Sequence, residues 1–186
     1  MSGQPPRIIV ITGIQAAGKS TVARLLAQRF ERGVHIEADV LYQMIVAGRV
    51  LPEEAGVMPP EAERQLRLRL HNACLLARSF YEAGFSVVID DIIIGERYAH
   101  LTEHLSGLPF DLVVLAPRAN VVAKERDASR GKRVVLGEKW ATYLDRELRA
   151  TMAGIGVWVD NSEQTPEETV EEIVCQLEAL GEEHRA

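Results

Sequence analysis

Cysteine is almost absent from this chain of 186 residues: Cys74 and Cys175 stand far apart and in no CxxC pattern. A disulfide scaffold and a cysteine zinc site are thereby excluded, and a reducing compartment suits the chain. Long hydrophobic runs are missing as well. No stretch approaches the ~18–20 apolar residues of a membrane span, and the Ser2–Pro6 start lacks the charged-then-apolar layout of a signal peptide. A cytoplasmic protein with no membrane partner is the expectation. Internal repeats and low-complexity linkers are absent too. There is no excess of basic charge: the net charge is −6, which argues against a general nucleic-acid partner.

What is present suits a single globular domain spanning residues 1–186, with 47% apolar and 26% charged residues. A chain of this length buries roughly 70% of its unfolded surface and needs no staples. Its charge is unevenly spread. Residues 118–149 carry nine basic and five acidic side chains, whereas residues 150–186 carry one and nine. A short basic segment in an acidic chain fits a small anionic ligand better than a nucleic acid.

Short β-branched runs alternate with helical patterns. Arg7–Thr12 reads as a buried strand, followed by a glycine-bounded turn and a helix from Ser20 to Phe30. Val34–Glu37, Phe85–Ile89, Phe110–Ala116 and Val157–Val159 read as four more strands. Asp39 falls where a helix N-cap is expected, and Gly48–Pro60 reads as a loop long enough for a binding role. A long helix is predicted over Glu61–Ala83, with Leu66, Leu70, Cys74, Ala77 and Tyr81 on one face. Asn120–Arg130 and Gly137–Ala153 are also predicted helical. Thr165, Pro166 and Glu168 form the start of the last helix, a capping box with proline at the first turn. Val170, Ile173, Val174, Leu177 and Leu180 form its packing stripe. Five buried strands alternating with helices imply a three-layer α/β/α sandwich around a parallel sheet.

Gly13-Ile14-Gln15-Ala16-Ala17-Gly18-Lys19-Ser20 matches GxxxxGK[ST], the P-loop pattern. A shuffled chain of this composition would contain it roughly once in 600, and here a strand precedes it and a helix follows. The glycines let successive backbone N–H groups, from Gln15 through Thr21, converge on phosphate oxygens. Lys19 reaches the β/γ-phosphates and the Ser20 hydroxyl can hold Mg²⁺.

Asp90 and Asp91 close an apolar strand and are followed at once by Ile92-Ile93-Ile94. Two carboxylates in so apolar a stretch need partners, and an acid at a strand end orients the metal in P-loop enzymes. Either or both serve the metal on this reading. Asp39 follows the second strand on the sheet edge that carries the P-loop. There an acid can orient and deprotonate an attacking hydroxyl, with Glu37 as the fallback. Arg126, Arg130 and Arg133 are spaced to share a helix face, and guanidinium groups clamp phosphate oxygens. The segment about 118–136 reads as a lid and residues about 39–84 as the acceptor side. Weaker signals are the His100/His104 pair, whose zinc spacing lacks a third ligand, and Arg64, Arg67 and Arg78 near the acceptor. The Asp160-Asn161-Ser162 turn lies where a base could rest.

These residues resemble the small P-loop kinases of the nucleoside-monophosphate-kinase-like group, and among them chloramphenicol phosphotransferase most closely. The likeness is carried by Gly13–Ser20, Glu37-Ala38-Asp39, Val88–Gly95 and the Arg126–Arg133 run, and it spans nearly the whole chain. The resemblance implies a sheet ordered 2-3-1-4-5, ATP and Mg²⁺ as cosubstrates, and Asp39 as the catalytic base. It further implies phosphate contacts from Arg130 and Arg133, and an acceptor pocket lined by Val46–Arg64. The function expected is transfer of the γ-phosphate of ATP to a hydroxyl on a small molecule, with antibiotics of the chloramphenicol type among the candidates. The alternatives are a nucleotide-dependent switch or ATPase module, and a kinase for another metabolite or nucleoside. A homo-oligomer and a monomer are both left open.

Overall fold

Five strands form a parallel sheet in the order β2-β3-β1-β4-β5, as the computed structural model describes it for residues 5–52, 54–118 and 137–183; against the expectation of five buried strands, the edge strand β2 buries only Ile36. The strands are β1 (Ile8–Gly13), β2 (Gly33–Glu37), β3 (Ser86–Asp90), β4 (Phe110–Leu115) and β5 (Val157–Val159). Among the described residues, six helices connect and cover them: α1 (Lys19–Ala27), α2 (Ala38–Gln43), α3 (Pro60–Glu82), α4 (Glu96–His104), α5 (Gly137–Met152) and α6 (Pro166–Glu183). They lie on both sides of the sheet, so the expected three-layer architecture and strand order hold.

β1 and β3 are buried along their whole length, which is why they read as continuous apolar runs rather than alternating ones. In-register pairing sets Ile11 and Glu37 beside Asp90 and Gly13 beside Leu115. The C-terminal strand ends are therefore aligned, and every loop leaving them faces the same side of the molecule. Gly13 is required at its position. A Cβ there would stand 2.4 Å from the Leu115 carbonyl oxygen, at a φ of +147° that side chains rarely adopt.

The long helix α3 buries Leu66, Leu70, Cys74 and Ala77, as its periodicity predicts, and ends at Gly84 in the left-handed region. Burial pushes the Cys74 thiol up to about 12, while Cys175 is exposed. Thiol titration of the folded protein is thus expected to count one reactive cysteine, with the second appearing only in denaturant. The capping box of α6 forms as read: Glu168 N–H donates to Thr165 Oγ1 at 3.2 Å and Thr165 N–H to Glu168 Oε2 at 2.8 Å. Thr165→Ala is expected to lower unfolding free energy by about 1 kcal/mol in urea titration.

Some details depart from the sequence reading. Leu180 is 39% exposed instead of closing the α6 stripe; it borders a shallow pocket with Phe110, Leu112 and Val157. Asp39 is not an N-cap; Glu37 holds that place and Asp39 sits in the first turn of α2. The helix expected over Asn120–Arg130 lies outside the described residues.

Candidate active site

The phosphate-binding loop is shaped by its backbone. Gly18 adopts φ 92° and Ala16 φ 56°. The latter is a left-handed conformation that a residue with a Cβ adopts only when its surroundings hold it. α1 starts directly at Lys19 with no acidic residue in its first turn and no side chain capping it. Its positive dipole end therefore suits an anion. Lys19 Nζ donates to the Ile14 carbonyl at 2.8 Å, bending the ammonium back over the loop. Gln15, Ala16, Gly18, Lys19, Ser20 and Thr21 line a cleft of about 1530 Å³. Gly13 and Ala17 are buried beneath them. Asn161 Nδ2 donates to the Ala17 carbonyl at 3.0 Å, tying the turn after β5 to the loop.

Asp90 and Asp91 occupy different surroundings. Successive residues of a strand point to opposite faces, and Asp91 N–H still donates to the Ile11 carbonyl, so the extended course continues past β3. On one face Ser20 Oγ donates to Asp90 Oδ1 at 3.0 Å and to Glu37 Oε1 at 3.4 Å, while His35 Nε2 stands 2.5 Å from Asp90 Oδ2. A hydroxyl and two carboxylates are hard oxygen donors suited to Mg²⁺. Among the described residues no group of three or more His, Cys, Asp or Glu could hold a metal.

On the other face Asp91 is ion-paired with Arg69 and accepts the Ile92 N–H at 2.6 Å. Burial pushes its carboxyl upward, against the pull of the guanidinium. The second arm of Arg69 donates to Asp39 Oδ1 at 3.1 Å. Arg69 and Asp91 are almost wholly enclosed, whereas the Asp39 side chain is 53% exposed to the cleft. Asp39 and the phosphate-binding loop thus border one opening.

A further part of the cleft is walled by Leu51, Val57, Met58, Ile92, Trp140 and Tyr143. The 48–60 loop is fastened where sequence placed a binding segment. Gln65 donates to the Gly48 carbonyl at 2.8 Å and accepts the Val50 N–H at 2.9 Å. Tyr42 Oη donates to the Val50 carbonyl. Arg67 and Arg97 share Glu63, at 3.2 and 2.9 Å. Burial opposes ionisation of Glu63, but the two arginines outweigh it and hold its carboxyl below the usual range.

The weaker sequence signals resolve individually. Arg64 pairs with Glu61 at 2.8 Å, and Arg78 donates to the His104 and Ser106 carbonyls at 3.3 and 3.0 Å. His104 turns to His71, their Nδ1 atoms 3.4 Å apart, and not to His100. Asn161 reaches the cleft as expected of its turn. Arg126, Arg130 and Arg133 lie outside the described residues. Arg69, Arg97, Trp140 and Tyr143 went unread in the sequence. Only Arg69 carried a signal, a cation within the apolar face of a helix.

This architecture recurs in solved kinases. A sugar kinase from Janibacter sp. HTCC2649 is 21% identical with a TM-score of 0.67, covering 94% of this chain and 95% of its own. A shikimate kinase from Aquifex aeolicus vf5 is 20% identical with a TM-score of 0.63, covering 94% and 98%. An APS kinase from Mycobacterium tuberculosis, in complex with AMPPNP and APS, is 18% identical with a TM-score of 0.62, covering 94% and 98%. No curated protein matches in sequence. No described helix is long and apolar enough to cross a membrane. Fold and motif define a P-loop kinase, a nucleotide-using phosphotransferase with a hydroxyl acceptor. More narrowly, the chain belongs to the chloramphenicol phosphotransferase-like family, whose model matches residues 6–178.

Proposed function

We propose that the protein transfers the γ-phosphate of ATP to a hydroxyl of an uncharged, partly apolar small molecule, with chloramphenicol-type antibiotics the first acceptors to try. The observation that carries this reading is the single cleft bordered by both the phosphate loop and Asp39. Residues Gly13 to Thr21 cradle the phosphates, and the Lys19 ammonium draws charge from the γ-phosphoryl group. Arg126, Arg130 and Arg133 are assigned to phosphate oxygens from the sequence alone. Ser20 and Asp90 would hold Mg²⁺, which would supply positive charge against that developing on the phosphates. Asp91 is withdrawn from this metal assignment because Arg69 occupies it.

Asp39 accepts a hydrogen bond from the acceptor hydroxyl and orients its oxygen towards the γ-phosphorus. A new P–O bond forms as the bond to the bridging oxygen of ADP breaks. The hydroxyl proton passes late to the Asp39 carboxylate, since the transition state of such transfers is loose.

The ion pairs of the cleft support an uncharged acceptor. Of the four arginines lining the acceptor side, Arg67, Arg69 and Arg97 already face carboxylates, and Arg49 lies exposed over the Tyr42 ring. Among the described arginines of the cleft, only exposed Arg49 could meet an anionic acceptor without displacing one of those carboxylates and leaving it unpaired. The test is incubation with Mg-ATP and a panel of uncharged hydroxylated antibiotics and sugars beside anionic hydroxy acids. A gain of about 80 Da on an uncharged member is the expected result. Phosphate release at one rate with and without every acceptor would instead indicate a nucleotide-driven switch and overturn the reading.

A further inference from the structure

We propose that Arg69 is a positioning residue for phosphoryl transfer: its guanidinium, anchored on buried Asp91, holds Asp39 Oδ1 and so leaves Oδ2 for the acceptor hydroxyl. The proposal rests on the assignment of Asp39 made above.

Asp39 has little of its own to fix it. α2 is only six residues long, and the carboxylate projects into an open cleft. Left to itself, such a side chain samples several rotamers, and a hydroxyl oriented by it would sample them too. Arg69 removes that freedom. Its stem belongs to the buried face of α3 with Leu66, Leu70 and Ala73, and its Cζ lies 5.6 Å from the Tyr42 ring centroid. A planar guanidinium presents its donors in a fixed fork, so anchoring one arm aims the other. The anchored arm meets Asp91, which is held in turn by the Ile92 N–H and by its own N–H on the Ile11 carbonyl. A continuous series of polar contacts therefore runs from the central strand to the exposed carboxylate.

Direct acceptor binding is not the role this geometry favours. Both Nη atoms are engaged by carboxylates, and Nε is enclosed without a partner among the described residues. Arg69 acts through Asp39. The Asp91 charge also offsets the Arg69 charge, so the fork orients Asp39 without presenting it with an uncompensated cation.

The experiment pairs kinetics with a spectroscopic readout on the full chain. Arg69→Lys and Arg69→Gln are assayed with Mg-ATP and chloramphenicol, or with whichever panel compound gains phosphate. The expected result is a fall in kcat of ~10²-fold in both variants, the cost of misplacing a reacting group by about 1 Å. Both KM values should stay within about twofold of wild type. A lysine variant within about threefold of wild type would mean that charge alone suffices, and a raised acceptor KM with kcat intact would mean that Arg69 binds the acceptor; either overturns the proposal.

The second readout needs no acceptor and no Arg69 variant that folds. In ¹⁵N-resolved spectra of arginine side chains, the wild-type Arg69 guanidinium should rotate slowly. In Asp39→Ala, which removes only the exposed end of the fork, it should rotate at least about tenfold faster, as loss of one charge-assisted hydrogen bond requires. An unchanged rate shows that Asp39 is not held by the fork and overturns the proposal. Failure of every panel compound to gain phosphate sinks the proposed function instead, while the spectra still decide the fork.

Discussion

Lys19→Ala is expected to lower kcat/KM for Mg-ATP by ~10³–10⁵-fold, the range seen when a cation that stabilises transferring phosphoryl charge is removed. The ammonium stands on the Ile14 carbonyl, 2.8 Å away, at the first turn of α1. It is the one phosphate-directed cation that the P-loop motif itself supplies. The fold should survive the change, because the residue begins a helix whose buried face is made by Val22, Ala23, Leu26 and Ala27. Alanine is also a better helix former than lysine. A melting temperature close to wild type together with lost transfer separates a chemical role from a structural one. Nucleotide affinity measured by calorimetry should fall much less than turnover, since the backbone N–H groups of the loop remain. Full activity in this variant would show that the loop is not the phosphate cradle.

The parts legible in the sequence are those whose constraints are local. Gly13–Ser20 could be read because one contiguous segment contains the turn, the donors and the ammonium. Thr165 and Glu168 could be read because a capping box closes over three residues. The strands were legible as apolar runs, since both faces of a parallel sheet are covered. Arg69 was not legible, for its partners Asp39 and Asp91 lie 30 and 22 residues away in sequence, and only the packing of α3 brings them together. The stripe of Ala62, Leu66, Leu70, Ala73 and Ala77 already made an arginine at position 69 anomalous, because a buried cation demands a counter-charge. Strand alternation gave a similar clue for Asp90 and Asp91. Adjacent residues on one strand cannot both face Ser20, but which of them does depends on which helix covers which face. The aromatic wall of Trp140 and Tyr143 had no local mark, since an aromatic residue on an amphipathic helix reads as core.

Asp39→Ala is expected to lower turnover by ~10²–10⁴-fold, the usual contribution of a positioned acid or base, with ATP affinity nearly intact. Asp39 is half exposed and on the acceptor side of the phosphate loop, so its loss should leave nucleotide contacts undisturbed. The contrast with Asp91→Ala makes the result interpretable. Removing Asp91 leaves buried Arg69 only the half-exposed Asp39 as counter-charge and is expected to cost ~3–5 kcal/mol of stability. Removing Asp39 leaves Arg69 its buried partner and should change urea stability by much less. Asp39 thus carries chemistry with little stability, whereas Asp91 carries stability and acts on the chemistry only through the Arg69 guanidinium that both touch. Thermal or urea unfolding of the two variants beside their turnover with an acceptor identified by phosphate gain measures both quantities. Unchanged turnover in Asp39→Ala would remove that residue from the reaction. The hydroxyl would then have to be oriented by Glu37, two residues earlier, whose carboxylate already accepts from Ser20 on the nucleotide side.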